Sequence, residues 1–172
     1  TIIFPKRGGA IKTNKKRILA QPSCFDLNIM GLVSNIIPFK YTYYWIYGLD
    51  LVKISDGSNV PQINLGDIQP LNFPLPPLDE QKRIISKLDE IFSKIEVTEN
   101  YLKKIVTLLE NKPTSVNSSG NTIKNINQIH KLKLSVLKKA LSGKLIPQNS
   151  DDESVDILLE KIKQGKEQLI KK

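Results

Sequence analysis

From Ile85 onward, Leu88, Phe92, Ile95, Glu99, Leu102, Val106 and Leu109 follow one another at alternating three- and four-residue intervals. Seven of these eight are apolar. A 3-4 repeat sustained over about three and a half heptads places them on one seam of a single long helix, and Ile84, Ile91 and Ile105 widen the stripe. Neither Gly nor Pro interrupts residues 78–110, and Pro77 stands where a helix tolerates a missing N–H. Asp79 and Glu80 follow in the first turn, where negative charge favours the helix dipole. At 1.5 Å per residue a helix over 79–110 is about 48 Å long. Such a length suits a long coiled-coil arm better than an amphipathic helix lying on its own small domain.

Before Pro74-Leu75-Pro76-Pro77 the texture differs, and this segment is the expected domain boundary. The runs Thr1–Phe4, Arg17–Leu19, Ile29–Val33, Leu49–Ile54 and Val60–Ile63 are short, apolar and bounded by turn residues. They predict short strands with one helix. The five aromatics Tyr41, Tyr43, Tyr44, Trp45 and Tyr47 read as a core element in preference to a base-stacking platform. Beyond the long helix, residues 111–125 form a polar connector expected to be a mobile loop, followed by a second helix from about Ile123 to Ser142. Its apolar residues, Leu137 and Leu141 among them, cover more than one face, and the loop is long enough for the two helices to run antiparallel as a hairpin. Asp151-Asp152-Glu153-Ser154 starts a third helix from Val155 to about Lys172, with Gly165 and the basic tail expected to fray. The expected fold is α+β: a small mixed α/β domain over 1–75, a coiled-coil hairpin over 76–150 with its loop at 111–125, and a C-terminal helix over 151–172.

The 172 residues carry 26 basic and 17 acidic side chains, a net +9. Six of the eight basic residues before position 76 fall between Lys6 and Arg17, with no acid among them. Lys6, Arg7, Lys12, Asn14, Lys15, Lys16 and Arg17, interleaved with Gly8 and Gly9, are therefore the candidate DNA contacts. Lys and Arg displace phosphate counterions, glycine lets main-chain N–H groups approach phosphate, and Arg reads guanine bidentately. The plain alternative is a basic loop without a ligand. Gln62 and Asn64 are candidates for adenine edges, although their run also reads as a turn leading to the helix. Charges on the helices alternate in sign, as on solvated faces.

No catalytic constellation emerges. The lone Cys24 is expected to be a small buried residue, and the lone His130 interfacial or solvent-facing. Neither can build a zinc cluster, and Asp26, Asp50, Asp56 and Asp67 are scattered, so no metal, cofactor or catalytic residue is expected. Lys12-Thr13 follows Ile11 where a phosphate-binding loop requires Gly. No uncharged apolar run reaches membrane-spanning length and the start lacks a leader pattern, so the expectation is a soluble, cytoplasmic protein. The opening at Thr1 without Met predicts a fragment or a processed product.

Three ordered blocks resemble one family. Pro74-Leu-Pro-Pro-Leu-Asp-Glu-Gln-Lys-Arg-Ile-Ile-Ser-Lys-Leu-Asp-Glu-Ile-Phe92 is similar to the helical conserved region of the specificity subunit of Type I restriction-modification enzymes. Ser135-Val-Leu-Lys-Lys-Ala-Leu-Ser-Gly-Lys-Leu-Ile-Pro-Gln148, followed by 151–159, resembles the closing segment of that region. Phe4-Pro-Lys-Arg-Gly-Gly-Ala-Ile11 and Gly57-Ser-Asn-Val-Pro-Gln-Ile-Asn64 resemble the late part of its target recognition domain. The resemblance implies a non-catalytic DNA-binding subunit that reads one half of a split target. It implies double-stranded DNA, methyltransferase subunits and, through them, a restriction motor as partners. Only one recognition domain is represented, and that incompletely, which fits a fragment, a half-length subunit that dimerises, or a reshuffled cassette. The rival reading is a coiled-coil assembly module that does not read DNA.

Overall fold

The computed structural model describes residues 1–110 and 118–170. It divides into two compact units, Thr1–Lys82 with Asn149–Lys172, and Arg83–Gln148.

The first unit is built on a three-stranded antiparallel sheet in the order β2-β1-β3. β1 (Ile2–Pro5) lies between β2 (Arg17–Ile18) and β3 (Ile29–Leu32), with Ile2 opposite both Ile18 and Leu32. Ile2 and Phe4 point into the core, the period-2 result expected of a central strand. A 3-10 turn over Gly9–Thr13 buries Ile11 completely.

Helix α1 (Phe39–Tyr47) carries the aromatic run. Tyr41, Tyr44 and Trp45 are buried, as expected of a core element. The Trp45 ring meets Phe73 edge-on at 5.0 Å while its Nε1 donates to the Asn72 carbonyl at 2.9 Å. Tyr41 likewise packs on Phe73 and donates its hydroxyl to the Pro74 carbonyl at 3.2 Å. The aromatics thus hold down the segment that leads to the long helix.

Two of the expected strands take other forms. Leu51–Ile54 is a short helix, α2, because the Asp50 carboxylate accepts the Val52 N–H at 3.1 Å and caps it. Around Val60–Ile63 only Gln62 is in a β-bridge, opposite Arg7. A further turn of helix, α3 (Leu65–Ile68), starts where the Asp67 carboxylate accepts the Asn64 N–H at 2.7 Å.

The long helix α4 runs Leu78–Glu110, 33 residues, with Pro77 just before it offering its carbonyl to the Gln81 N–H at 2.9 Å. Helix α5 covers Ser118–Leu141 and so begins inside the stretch assigned to the connector; residues 111–117 of that stretch lie outside the described residues. In the second unit Leu88 and Leu137 are buried, Ile85, Phe92, Ile95 and Leu141 are half-buried, and Leu102 is exposed. The side chains of Val106 and Leu109 lie outside those described. Between α4 and α5, Glu99 accepts from Lys133 at 3.3 Å, and it also pairs with Lys103 at 2.9 Å along its own helix.

Helix α6 (Val155–Ile170) is capped by Ser154, whose hydroxyl accepts the Asp156 N–H at 3.2 Å. Gly165 is not a fraying point. A Cβ built there would stand 2.5 Å from Ile36 Cδ1, so the glycine permits close packing in mid-helix. Cys24, expected inside, is exposed, because the whole loop 20–28 runs over the surface. His130 is exposed on α5.

Candidate nucleic-acid interface

The basic segment separates into exposed and internal residues. Arg7, Lys12, Lys15 and Arg17 are exposed and Lys6 is half-buried. None of the five has an ion pair or a side-chain hydrogen bond among the described residues. On the helices, Lys82, Lys87, Lys94, Lys103, Lys133 and Lys161 pair with carboxylates, whereas Lys104, Lys138, Lys139, Lys163 and Lys166 have no such pair among the described residues.

Lys16 and Asn14 also make contacts inside the unit. Lys16 is 8% exposed, and its Nζ donates to Asn14 Oδ1 at 2.6 Å and to the Leu49 carbonyl at 2.5 Å. Burial lowers its pKa to about 8, against the opposing pull of Asp50. Asn14 sits in the left-handed region with φ of 53° and accepts the Leu51 N–H at 2.9 Å with the same Oδ1. Asn14 Oδ1 and the Lys16 ammonium tie the 3-10 turn to α2, which turns the Lys16 charge inward. Gly8 also differs from expectation. Its φ of 81° requires glycine, but its N–H is spent on the Pro61 carbonyl at 2.8 Å.

That bond belongs to a two-stranded ribbon that local sequence could not reveal. Gly8 N–H donates to Pro61 and Ile63 N–H donates to Lys6, both at 2.8 Å, so Arg7 and Gln62 face each other as a non-hydrogen-bonded antiparallel pair. Behind Gln62, the Asp56 carboxylate accepts from Ser58 N at 3.2 Å, Ser58 Oγ at 3.0 Å and Gln62 N at 3.0 Å. The backbone donors of Gln62 and Ser58 hold this carboxyl below its usual range. Residues 57–60, including Asn59, form the exposed tip of the braced loop. The readable trace of this brace is the Asp56-Gly57 turn signal, with Gly57 at φ of 70°. Asn64 is exposed and stands at the N-cap of α3. Among the described residues no group of His, Cys, Asp or Glu could hold a metal ion, and no helix is long and apolar enough to cross a membrane.

Residues 6–107 match the Type I restriction modification DNA specificity domain. Over 70 residues the chain is 34% identical to the Type I restriction enzyme EcoDI specificity subunit of Escherichia coli. The match covers 39% of this chain and 16% of that relative, so the chain spans a small part of it. No solved structure matches. The family match takes in the basic segment, the braced loop and nearly all of α4, and by it the chain belongs to the Type I restriction modification DNA specificity domain family.

Proposed function

We propose that this chain is a DNA-reading part of a Type I restriction-modification specificity subunit. It binds duplex DNA through the unit that carries residues 6–17 and supplies sequence choice, leaving chemistry to methyltransferase and restriction subunits. The observation that carries the reading is the acid-free basic surface. Arg7, Lys12, Lys15 and Arg17 are exposed without carboxylate partners, and they belong to a run of six basic residues within twelve positions that holds no acid. Clustered cations on one segment displace several phosphate counterions together.

The domain reading belongs to the same proposal. Residues 1–75 are a partial reader, and α4 with α5 form an antiparallel coiled-coil spacer. Thirty-three residues of α4 span about 50 Å, or about 15 base pairs at 3.4 Å each, a suitable ruler between two half-sites. The second half-site reader is a second recognition domain or a second copy of the chain.

A pure assembly module is the competing reading. It is favoured by Tyr101, Leu102, Ile105 and Leu108, which leave apolar surface exposed on α4. Binding of the full chain to duplex DNA at two salt concentrations, with its oligomeric state measured alongside, separates the two. DNA binding that weakens steeply with salt is the expected result; oligomerisation with no DNA binding sinks the reader assignment.

A further inference from the structure

We propose that Arg7 and Gln62 act as one cross-strand pair that reads two neighbouring bases in the major groove, Arg7 taking guanine and Gln62 adenine. This rests on the reading of the chain as a DNA binder and adds to it the residues that set sequence choice.

The argument begins with the ribbon. In an antiparallel pair, directly opposed residues put their side chains on the same face, and non-hydrogen-bonded pairs stand closest, with Cα atoms about 4.5 Å apart. Arg7 and Gln62 are such a pair, flanked by the Gly8–Pro61 and Ile63–Lys6 bonds at 2.8 Å. Their outward backbone groups are also fixed. Arg7 N–H donates to Asn28 at 3.3 Å, Gln62 N–H to the Asp56 carboxylate at 3.0 Å, and Asp56 N–H to the Gln62 carbonyl at 3.0 Å. The backbone beneath both side chains is therefore held on two sides, which lowers the entropy lost on binding.

The side chains themselves are uncommitted. Among the described residues neither the Arg7 guanidinium nor the Gln62 amide has a hydrogen-bond partner, while the nearby Ser58 hydroxyl is engaged with Asp56 and Val60. Arg7 is exposed and Gln62 half-buried. A guanidinium offers two parallel donors, matching guanine O6 and N7. A carboxamide offers one donor and one acceptor, matching adenine N7 and N6. The major groove admits a two-stranded ribbon, and adjacent bases rise by about 3.4 Å, close to the separation of the pair. Lys12, Lys15 and Arg17 then serve the phosphates, a division of labour between positioning and reading.

The test is selection from a pool of randomised duplexes by the full chain, comparing the wild type with Arg7→Lys, Arg7→Ala, Gln62→Glu and Gln62→Ala, each first shown by thermal melting to be folded. The wild type is expected to enrich a motif containing adjacent guanine and adenine. Arg7→Lys, which keeps charge but loses the fork, should lower the guanine preference about tenfold or more with the salt slope retained. Gln62→Glu should move the adenine preference towards cytosine, since a carboxylate accepts from the cytosine amino group. If the wild type enriches a motif and all four variants keep it, this inference is overturned while DNA reading stands. If Arg7→Lys keeps the motif and Arg7→Ala only reduces the salt slope, Arg7 is a phosphate contact and the pair is overturned. If the wild type binds no duplex at all, the reader assignment falls together with the pair.

Discussion

Asn14 Oδ1 lies 2.6 Å from Lys16 Nζ and also 2.9 Å from the Leu51 N–H, so a single side-chain oxygen links the basic segment to the start of α2. The contact explains why the most basic stretch of the sequence, Lys15-Lys16-Arg17, does not act as one unit. Its middle member turns inward, towards the Leu49 carbonyl, while its neighbours stay in water.

Replacing Lys16 should therefore affect folding and leave DNA binding unchanged. Lys16→Met keeps most of the stem but leaves the Leu49 carbonyl without its donor, at a cost of about 1–3 kcal/mol by urea unfolding at pH 10, where the buried amine is neutral. Its DNA affinity, measured well below the unfolding temperature, should match the wild type. An intact fold with weakened DNA binding would put Lys16 back on the phosphate surface.

The same lysine predicts a pH signature. Its folded pKa of about 8 lies below the ordinary 10.5, so between these values the unfolded chain holds the extra proton and stability rises with pH from this group. Below pH 8 both states are protonated and the burial penalty is present in full. The difference in unfolding midpoint between wild type and Lys16→Met should widen in favour of the wild type from pH 8 to 10; a constant difference would contradict it.

Gly165 makes a packing prediction. Alanine there gains about 1 kcal/mol of helix propensity but drives its Cβ into Ile36 Cδ1, an overpacking cost of about 1–3 kcal/mol. Gly165→Ala should be neutral or destabilising alone. In an Ile36→Val background, which removes the clashing carbon, it should become stabilising, and a thermal double-mutant cycle reads the coupling.

On α4, Glu99 occupies a seam position where the pattern calls for an apolar residue, and it pairs with Lys103 and Lys133. The Lys103 hydrogen bond foremost, with help from Lys133, holds its pKa below the usual 4.5. The pair therefore contributes above that value and is lost as pH falls through the folded pKa. Glu99→Leu alone strands Lys133 beside an apolar group and should destabilise, whereas Glu99→Leu with Lys133→Leu should recover or exceed wild-type stability. Acid and neutral urea titrations of the three variants check both statements.

The parts of this molecule legible in the sequence are those set by local pattern. The 3-4 repeat from Ile85 to Leu102, broken only by Glu99, gives α4, and the runs at Ile2, Arg17 and Ile29 give the three strands because turn residues bound them closely. Where one polar contact decides, pattern misleads. Asp50 turns an apolar run into α2, and Ile36 makes Gly165 a packing site. The basic cluster is legible in the sequence, but which of its members face water is not, because the Leu49 carbonyl that takes Lys16 lies 33 residues away. The pairing of Arg7 with Gln62 depends on long-range hydrogen bonds: the Val60–Ile63 run reads as a strand, but nothing in it points to residues 6–8 as its partner.

The most direct measurement is the slope of log affinity against log salt for the full chain on duplex DNA, wild type against a Lys12→Ala, Lys15→Ala, Arg17→Ala variant. Each phosphate contact contributes nearly one unit of slope, so the account predicts a slope shallower by about 3 in the variant, with affinity falling alike for all sequences. An unchanged slope in a folded variant would contradict the claim that the acid-free surface of residues 6–17 is where this chain meets DNA.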